Sequence, residues 1–166
     1  AAQFHAAVIE ADLSGVPMIV CTADRPPEFR DVGAPQTIDQ TRLFGNAVRW
    51  FHDPGVPSDD VAHTWRALAS RAHASATGNN QGPVHLNLPF REPLLGTAGS
   101  LPPARSGGWS HQVTPVAKSF DGLDDFASSL TGRSGVIVAG NGSGRDVLTL
   151  AGALGWPVFA DATSGA

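Results

Sequence analysis

From Ala1 to Leu13 the apolar residues Phe4, Ala7, Val8 and Ala11 fall at helical spacing, and Ser14-Gly15 supplies a stop, so the chain is expected to open within a helix. Pro17 to Thr22 is then a short apolar run between turn residues. That pattern predicts a strand covered on both faces, as in a parallel sheet. Ala47 to His52 alternates enough to predict another strand, closed by the turn Asp53-Pro54-Gly55. Ser58 is placed to cap a helix with Asp59 and Asp60 in its first turn and Val61, Trp65, Leu68 and Ala72 as its apolar stripe, ending near Ala76. A third strand is expected over Pro83 to Leu88, stopped by Pro89-Phe90-Arg91-Glu92-Pro93.

From Gly96 to about Pro115 the chain turns to Gly, Ser, Pro and Ala with few large apolar residues, too little to bury a core of its own. We therefore expect a first domain over residues 1–95, a linker over 96–115 and a second domain over 116–166. In the latter the pattern predicts a helix from about Phe120 to Leu130, a strand Gly135 to Ala139, a helix from about Arg145 to Leu154 and a strand Pro157 to Ala160. Strands alternating with helices on both sides of the linker predict an α/β fold with parallel, Rossmann-like sheets.

Thr22 to Gln40 places polar and charged groups on a backbone with little freedom, at the C-terminal end of the first strand, where open α/β sheets bind ligands. Pro26 pushes Arg25 into an extended conformation, so its guanidinium stands on a stiff stem. Pro26 and Pro27 lack N–H groups, and Gly33 is free to take positive φ and turn the chain. Pro35 suits the first turn of a short helix, from whose start Gln36 would project.

The net charge of −4 gives no electrostatic reason to expect nucleic acid or an anionic membrane surface as partner. No apolar run approaches membrane-spanning length. The single cysteine, Cys21, is expected to be buried in a strand and inert, and a reducing, cytoplasmic setting follows as the default. With no initiator methionine and a start in mid-helix, the chain is expected to be a piece of something longer.

Other candidates have plainer explanations. Gly140-Asn-Gly-Ser-Gly144 follows a strand and opens a helix, as a phosphate cradle does, but departs from G-x-G-x-x-G and reads better as a tight turn. The six histidines show no metal-ligand spacing, and His85 is expected to be a hydrogen-bonded interior or interface residue. His63 and His73 read as solvated, and Trp50 and Trp65 as packing aromatics. Ser143 and Ser164 do not form a nucleophile elbow. Arg30 and Asp31 are within reach of a second carboxylate or an adjacent subunit, with a solvated loop as the plainer reading, and Arg91 and Glu92 read as anchors of the linker.

Thr22-Ala-Asp-Arg-Pro-Pro-Glu, Gly33-Ala-Pro-Gln-Thr-Ile-Asp-Gln40 and Gly82-Pro-Val-His-Leu-Asn-Leu-Pro-Phe-Arg-Glu-Pro-Leu94 carry a more specific signal. In this order and spacing the chain resembles, over nearly its whole length, the thiamine-diphosphate-dependent family of 2-succinyl-5-enolpyruvyl-6-hydroxy-3-cyclohexene-1-carboxylate synthase (MenD). The resemblance implies that residues 1–95 are the later half of a pyrimidine-binding domain and residues 116–166 the start of a central Rossmann-like domain. It implies a homo-oligomeric transferase that decarboxylates 2-oxoglutarate on thiamine diphosphate and adds the succinyl unit to isochorismate. Arg25 and Gln36 match family positions that contact substrate or the cofactor-bound intermediate. The chemistry agrees, since a guanidinium fork binds a carboxylate through two charge-assisted hydrogen bonds and an amide both donates and accepts. The competing reading of Arg25 is a surface ion pair with Asp24, Glu28 or Asp31.

The family's activating glutamate would precede residue 1, and its diphosphate and Mg2+ motif would lie in a C-terminal domain. Asp121-Gly122-Leu123 is read as a helix start, not as that motif. No catalytic, metal-binding or cofactor-binding residue is therefore assigned to this chain, and by itself it is expected to be inactive. An acetohydroxyacid-synthase-like lyase shares the Gly-Ala-x-Gln and Gly-Pro-Val patterns, but Thr-Ala-Asp-Arg-Pro-Pro and Phe-Arg-Glu-Pro favour the first family. A non-catalytic α/β interaction piece is the remaining alternative.

Overall fold

Val84, Leu86 and Leu88 alternate with His85 and Asn87, and this two-residue period decides what each face of the first sheet holds. A computed structural model describes residues 1–97, 99–100, 103–104, 106–107 and 122–166. The chain divides into two compact units, Ala1–Thr114 and Pro115–Ala166.

In the first unit, helix α1 (His5–Leu13) leads to strand β1 (Met18–Asp24), a long loop, strand β2 (Trp50–His52), a 3-10 turn at Asp59–Thr64 running into helix α2 (Trp65–Thr77), and strand β3 (Pro83–Pro89). The strands are parallel in the order β1-β3-β2, with Thr22 opposite Asn87 and Phe51 opposite His85. On the α2 face, Val84 and Leu86 pack against Ala72 and Ala76, with Trp50, Leu68 and Leu88 at the margin. On the opposite face, Val20 packs with Val8 of α1 and with Phe44 and Ala47. Arg49 fastens the lower rim. Its guanidinium is paired with Asp12 and donates to the Asn80 and Gln81 carbonyls, and a Cβ on Gly82 would collide with it at 2.5 Å.

Several sequence expectations are corrected here. Strand β1 is covered on one face only: Val20, Thr22 and Asp24 are buried, whereas Ile19 is 43% exposed and Cys21 is exposed. The reason is position, because β1 is the outer strand of the sheet and α2 packs its small residues over central β3. No helix starts at Pro35; Gln36 sits instead in a turn with φ 57°. The second strand is confined to Trp50–His52, after a 3-10 turn at Gly45–Ala47. Ser58 stands at the N-cap without a side-chain bond. Of the first helix's predicted face, Val8 and Ala11 are buried, but Phe4 is half exposed.

The second unit contains α3 (Leu123–Leu130), β4 (Ile137–Ala139), α4 (Asp146–Leu154) and β5 (Val158–Ala160), with β4 and β5 parallel. Ala139 and Ala151 are buried, and Trp156 Nε1 donates to the Arg133 carbonyl at 2.7 Å. Most of the expected linker and the first residues of the predicted helix from Phe120, with Asp121, lie outside the described residues.

Candidate functional site

Parallel strands end their C-termini on one rim, and here β1, β2 and β3 deliver Asp24, Asp53 and Asn87 to it. Thr22, Asp24, His85 and Asn87 sit at alternate positions of β1 and β3, so all four face the α1 side, and all are buried. Asn87 Nδ2 donates to Asp24 Oδ2 at 2.8 Å and to Asp53 Oδ2 at 3.2 Å. Its Oδ1 therefore faces Thr22, whose hydroxyl donates to it at 2.8 Å. With that proton committed, the 2.7 Å contact between Thr22 Oγ1 and His85 Nε2 requires the imidazole to donate, which places the proton on Nε2. His85 Nδ1 is buried with no partner. Burial pushes the His85 pKa down, against a weaker opposing pull from Asp53, so the ring is held neutral between Phe44 and Phe51.

The other end of this chain of bonds is cationic. Arg30 Nη2 lies 3.0 Å from both Asp24 Oδ2 and Asp53 Oδ2. Burial alone would raise the Asp53 carboxyl, but the Gly55 N–H, the Asn87 amide and the Arg30 guanidinium together hold it below its ordinary value. Arg30 is thus committed to two carboxylates and is not the solvated loop residue expected. Asp24 Oδ1 accepts from the Arg25 N–H at 2.8 Å and from Gln40 Nε2 at 3.0 Å.

Above this floor opens a cavity of about 290 Å³, lined in part by Arg25, Gln36, Gln40, Phe90 and Glu92. The two residues singled out in the loop, eleven positions apart, therefore face one space. Neither Asp24, Glu28 nor Asp31 takes Arg25: Asp24 is filled by other donors, Glu28 is held by the Arg91 guanidinium through both oxygens, and no ion pair reaches Asp31 among the described residues. Arg91 in turn keeps the Glu28 carboxyl down at about 2. Among the described residues the Arg25 guanidinium has no ion-pair partner. A second cavity of about 380 Å³ lies on the other flank of the loop, where Asp31 and Asp39 line it beside the committed Arg30. An anion is better received on the Arg25 flank. Asp31, Gln36 and Arg42 all take left-handed backbone at φ 59°, 57° and 52°, each at a cost of about 1 kcal/mol for a non-glycine residue, strain of the kind that gathers at ligand clamps.

No protein-family model matches the chain. Over its whole length the chain is 44% identical to the 2-succinyl-5-enolpyruvyl-6-hydroxy-3-cyclohexene-1-carboxylate synthase of Thermobifida fusca, of which it covers 31%. Over 96% of its length it is 46% identical to the synthase of the same name from Chloroflexus aurantiacus, of which it covers 28%. From end to end the chain is similar to one part of these synthases. It spans about three tenths of the length of the curated relatives it matches. Among solved structures, benzoylformate decarboxylase from Polynucleobacter necessarius matches with a TM-score of 0.62 at 21% identity, covering 94% of this chain and 29% of that one. That likeness supports the shared parallel-sheet α/β fold.

The polar floor is not among the residues that the sequence singles out as a site. Its signal was present: Thr22, His85 and Asn87 are polar residues at inward positions of otherwise apolar strands. The glycine-rich turn after β4 is a different case. Gly142 N–H donates to the Thr163 carbonyl, Ser143 N–H to the Gly140 carbonyl and Gly144 N–H to the Ser164 carbonyl, at 2.9–3.2 Å. Ser143 Oγ also donates to the Gly140 carbonyl at 2.7 Å. These donors are used on the turn itself and on the segment after β5, and are not offered to a phosphate. Cys21, expected to be buried, is exposed. Among the described residues no three His, Cys, Asp or Glu side chains converge as metal ligands, and no helix is long and apolar enough to cross a membrane.

Proposed function

We propose that the full-length protein carrying this chain decarboxylates 2-oxoglutarate with thiamine diphosphate and adds the succinyl unit to isochorismate, with Arg25 and Gln36 forming part of a substrate-carboxylate site. Residues 1–95 are then the later half of its pyrimidine-binding domain, 96–115 the linker and 116–166 the start of its central domain. A cytoplasmic homo-oligomer using Mg2+ completes the reading. Support comes from the name shared by relatives that match the chain from end to end. The observation that carries the site is the Arg25 guanidinium, which lines a cavity with two amides while every neighbouring carboxylate is either engaged elsewhere or unpaired with it.

The cofactor, when bound, supplies the electron sink that decarboxylation of a 2-oxo acid requires. The resemblance puts the motif that holds its diphosphate and Mg2+ outside this chain. No step is assigned to this chain through them. What this chain's residues do is bind and orient. Arg25 neutralises a carboxylate with paired N–H donors, while Gln36 offers one donor and one acceptor beside it. The stiff Arg25-Pro26 backbone limits the freedom lost when the ligand arrives.

Kinetics of the full-length enzyme test this. Arg25→Ala removes a charge-assisted contact of about 2 kcal/mol, so KM for a dicarboxylate substrate should rise about 30-fold. Unchanged kinetics with both 2-oxoglutarate and isochorismate would remove Arg25 from the site.

A further inference from the structure

Resting on the reading of Arg25 as a carboxylate-binding residue, we propose that Asp24 is a positioning residue whose carboxylate, engaged by three hydrogen-bond donors and the Arg30 guanidinium, keeps the Arg25 guanidinium available to the ligand. The question it answers is why an arginine next in sequence to an aspartate does not pair with it. A carboxylate offers about four lone-pair sites. In Asp24 three hydrogen bonds arrive, from the Arg25 N–H and Gln40 Nε2 on Oδ1 and from Asn87 Nδ2 on Oδ2, at 2.8–3.0 Å, and the Arg30 guanidinium stands beside Oδ2 as an ion-pair partner at 3.0 Å. The side chain is 3% exposed, so solvent does not compete.

Three consequences follow for the cavity. Arg25's own backbone N–H is tied to Asp24, which fixes where the guanidinium's stem begins. Gln40, which lines the same cavity, is held by Asp24 and by the Ala23 carbonyl at 3.0 Å. Arg30, five residues along the same loop and chemically equivalent to Arg25, is drawn to Asp24 and Asp53 and does not line this cavity. The carboxylate thus sorts two arginines, holding Arg30 in the floor and leaving Arg25 to the cavity.

A double-mutant cycle in the full-length enzyme separates positioning from simple structural support. Asp24→Asn keeps the size of the side chain but gives up the charge and one accepting oxygen, and its new NH2 group faces donors, the Asn87 amide and the Arg30 guanidinium. KM for the dicarboxylate should rise about tenfold, with kcat changed less than about twofold. In an Arg25→Ala background the same substitution should change KM by less than about twofold, because the group it positions is gone. Equal losses with and without Arg25, or losses that fall on kcat as heavily as on KM, would overturn the proposal. If Arg25→Ala by itself leaves KM unchanged, the carboxylate-site reading beneath it fails, which is a different result. Should Asp24→Asn not yield folded protein, Asn87→Ser, which loosens Asp24 from below and lies outside the cavity, must show the same coupling to Arg25 at smaller size.

Discussion

Two strand ends in this chain face the same opportunity and treat it in opposite ways. After β1 and β3, the buried side chains Thr22, Asp24, His85 and Asn87 are linked by hydrogen bonds and leave above them a guanidinium without an ion-pair partner among the described residues. After β4, the N–H groups of Gly142, Ser143 and Gly144 go to the carbonyls of Thr163, Gly140 and Ser164. Both are C-terminal ends of parallel strands, the usual location of sites in this class of fold. Location is therefore not what makes a site here. The first end has donors left over once its internal bonds are counted, and in the second the Gly142 and Gly144 N–H groups are used.

Removing the Asp24 carboxylate should strike the first strand end hardest. Asp24→Ala would leave Arg30, Asn87 and the Arg25 N–H short of an acceptor in a buried setting, at a cost of about 3 kcal/mol. Urea denaturation of the full-length protein followed by hydrogen exchange at β1 and β3 should show the loss there and not in the second unit. A change below about 1 kcal/mol would mean that the floor is solvated and replaceable.

The pH dependence of stability probes the same floor more gently. Burial depresses the His85 pKa in the folded state, so the unfolded chain, with an ordinary value near 6.5, binds a proton first. Its contribution is fully present above about 6.5 and is lost as pH falls through the folded value, with a slope of at most about 1.4 kcal/mol per pH unit. His85→Gln can retain a donor to Thr22 without titrating, and should flatten this part of the stability profile. An unchanged slope would mean that His85 reaches water.

The elements were largely legible in the sequence because their periods are local. Val84, Leu86 and Leu88 mark β3, and Pro26 marks Arg25 as a residue on a stiff stem. The partnership of Asp24 with Asn87 was not, since the two lie 63 positions apart and meet only through the pairing of β1 with β3. No local pattern states which strands are neighbours. The exposure of Cys21 has the same origin, because an unbroken apolar run looks alike on a central and an outer strand. Gln36 was misread for another reason: Pro35 permits a helix start, but the following residue went left-handed, a conformation that glutamine does not advertise.

The mildest test falls on the second strand end. Gly144 has φ 72°, and a Cβ built there would meet nothing within 4 Å, so Gly144→Ala carries only the backbone penalty of a left-handed residue, about 1 kcal/mol. The Gly144 N–H can still reach the Ser164 carbonyl. Thermal unfolding should therefore begin slightly earlier in the second unit, while KM for a dicarboxylate stays where it was. If KM instead rose as far as it does in Arg25→Ala, the turn would be receiving an anion despite its internal bonds. The count of uncommitted donors would then no longer separate the two strand ends.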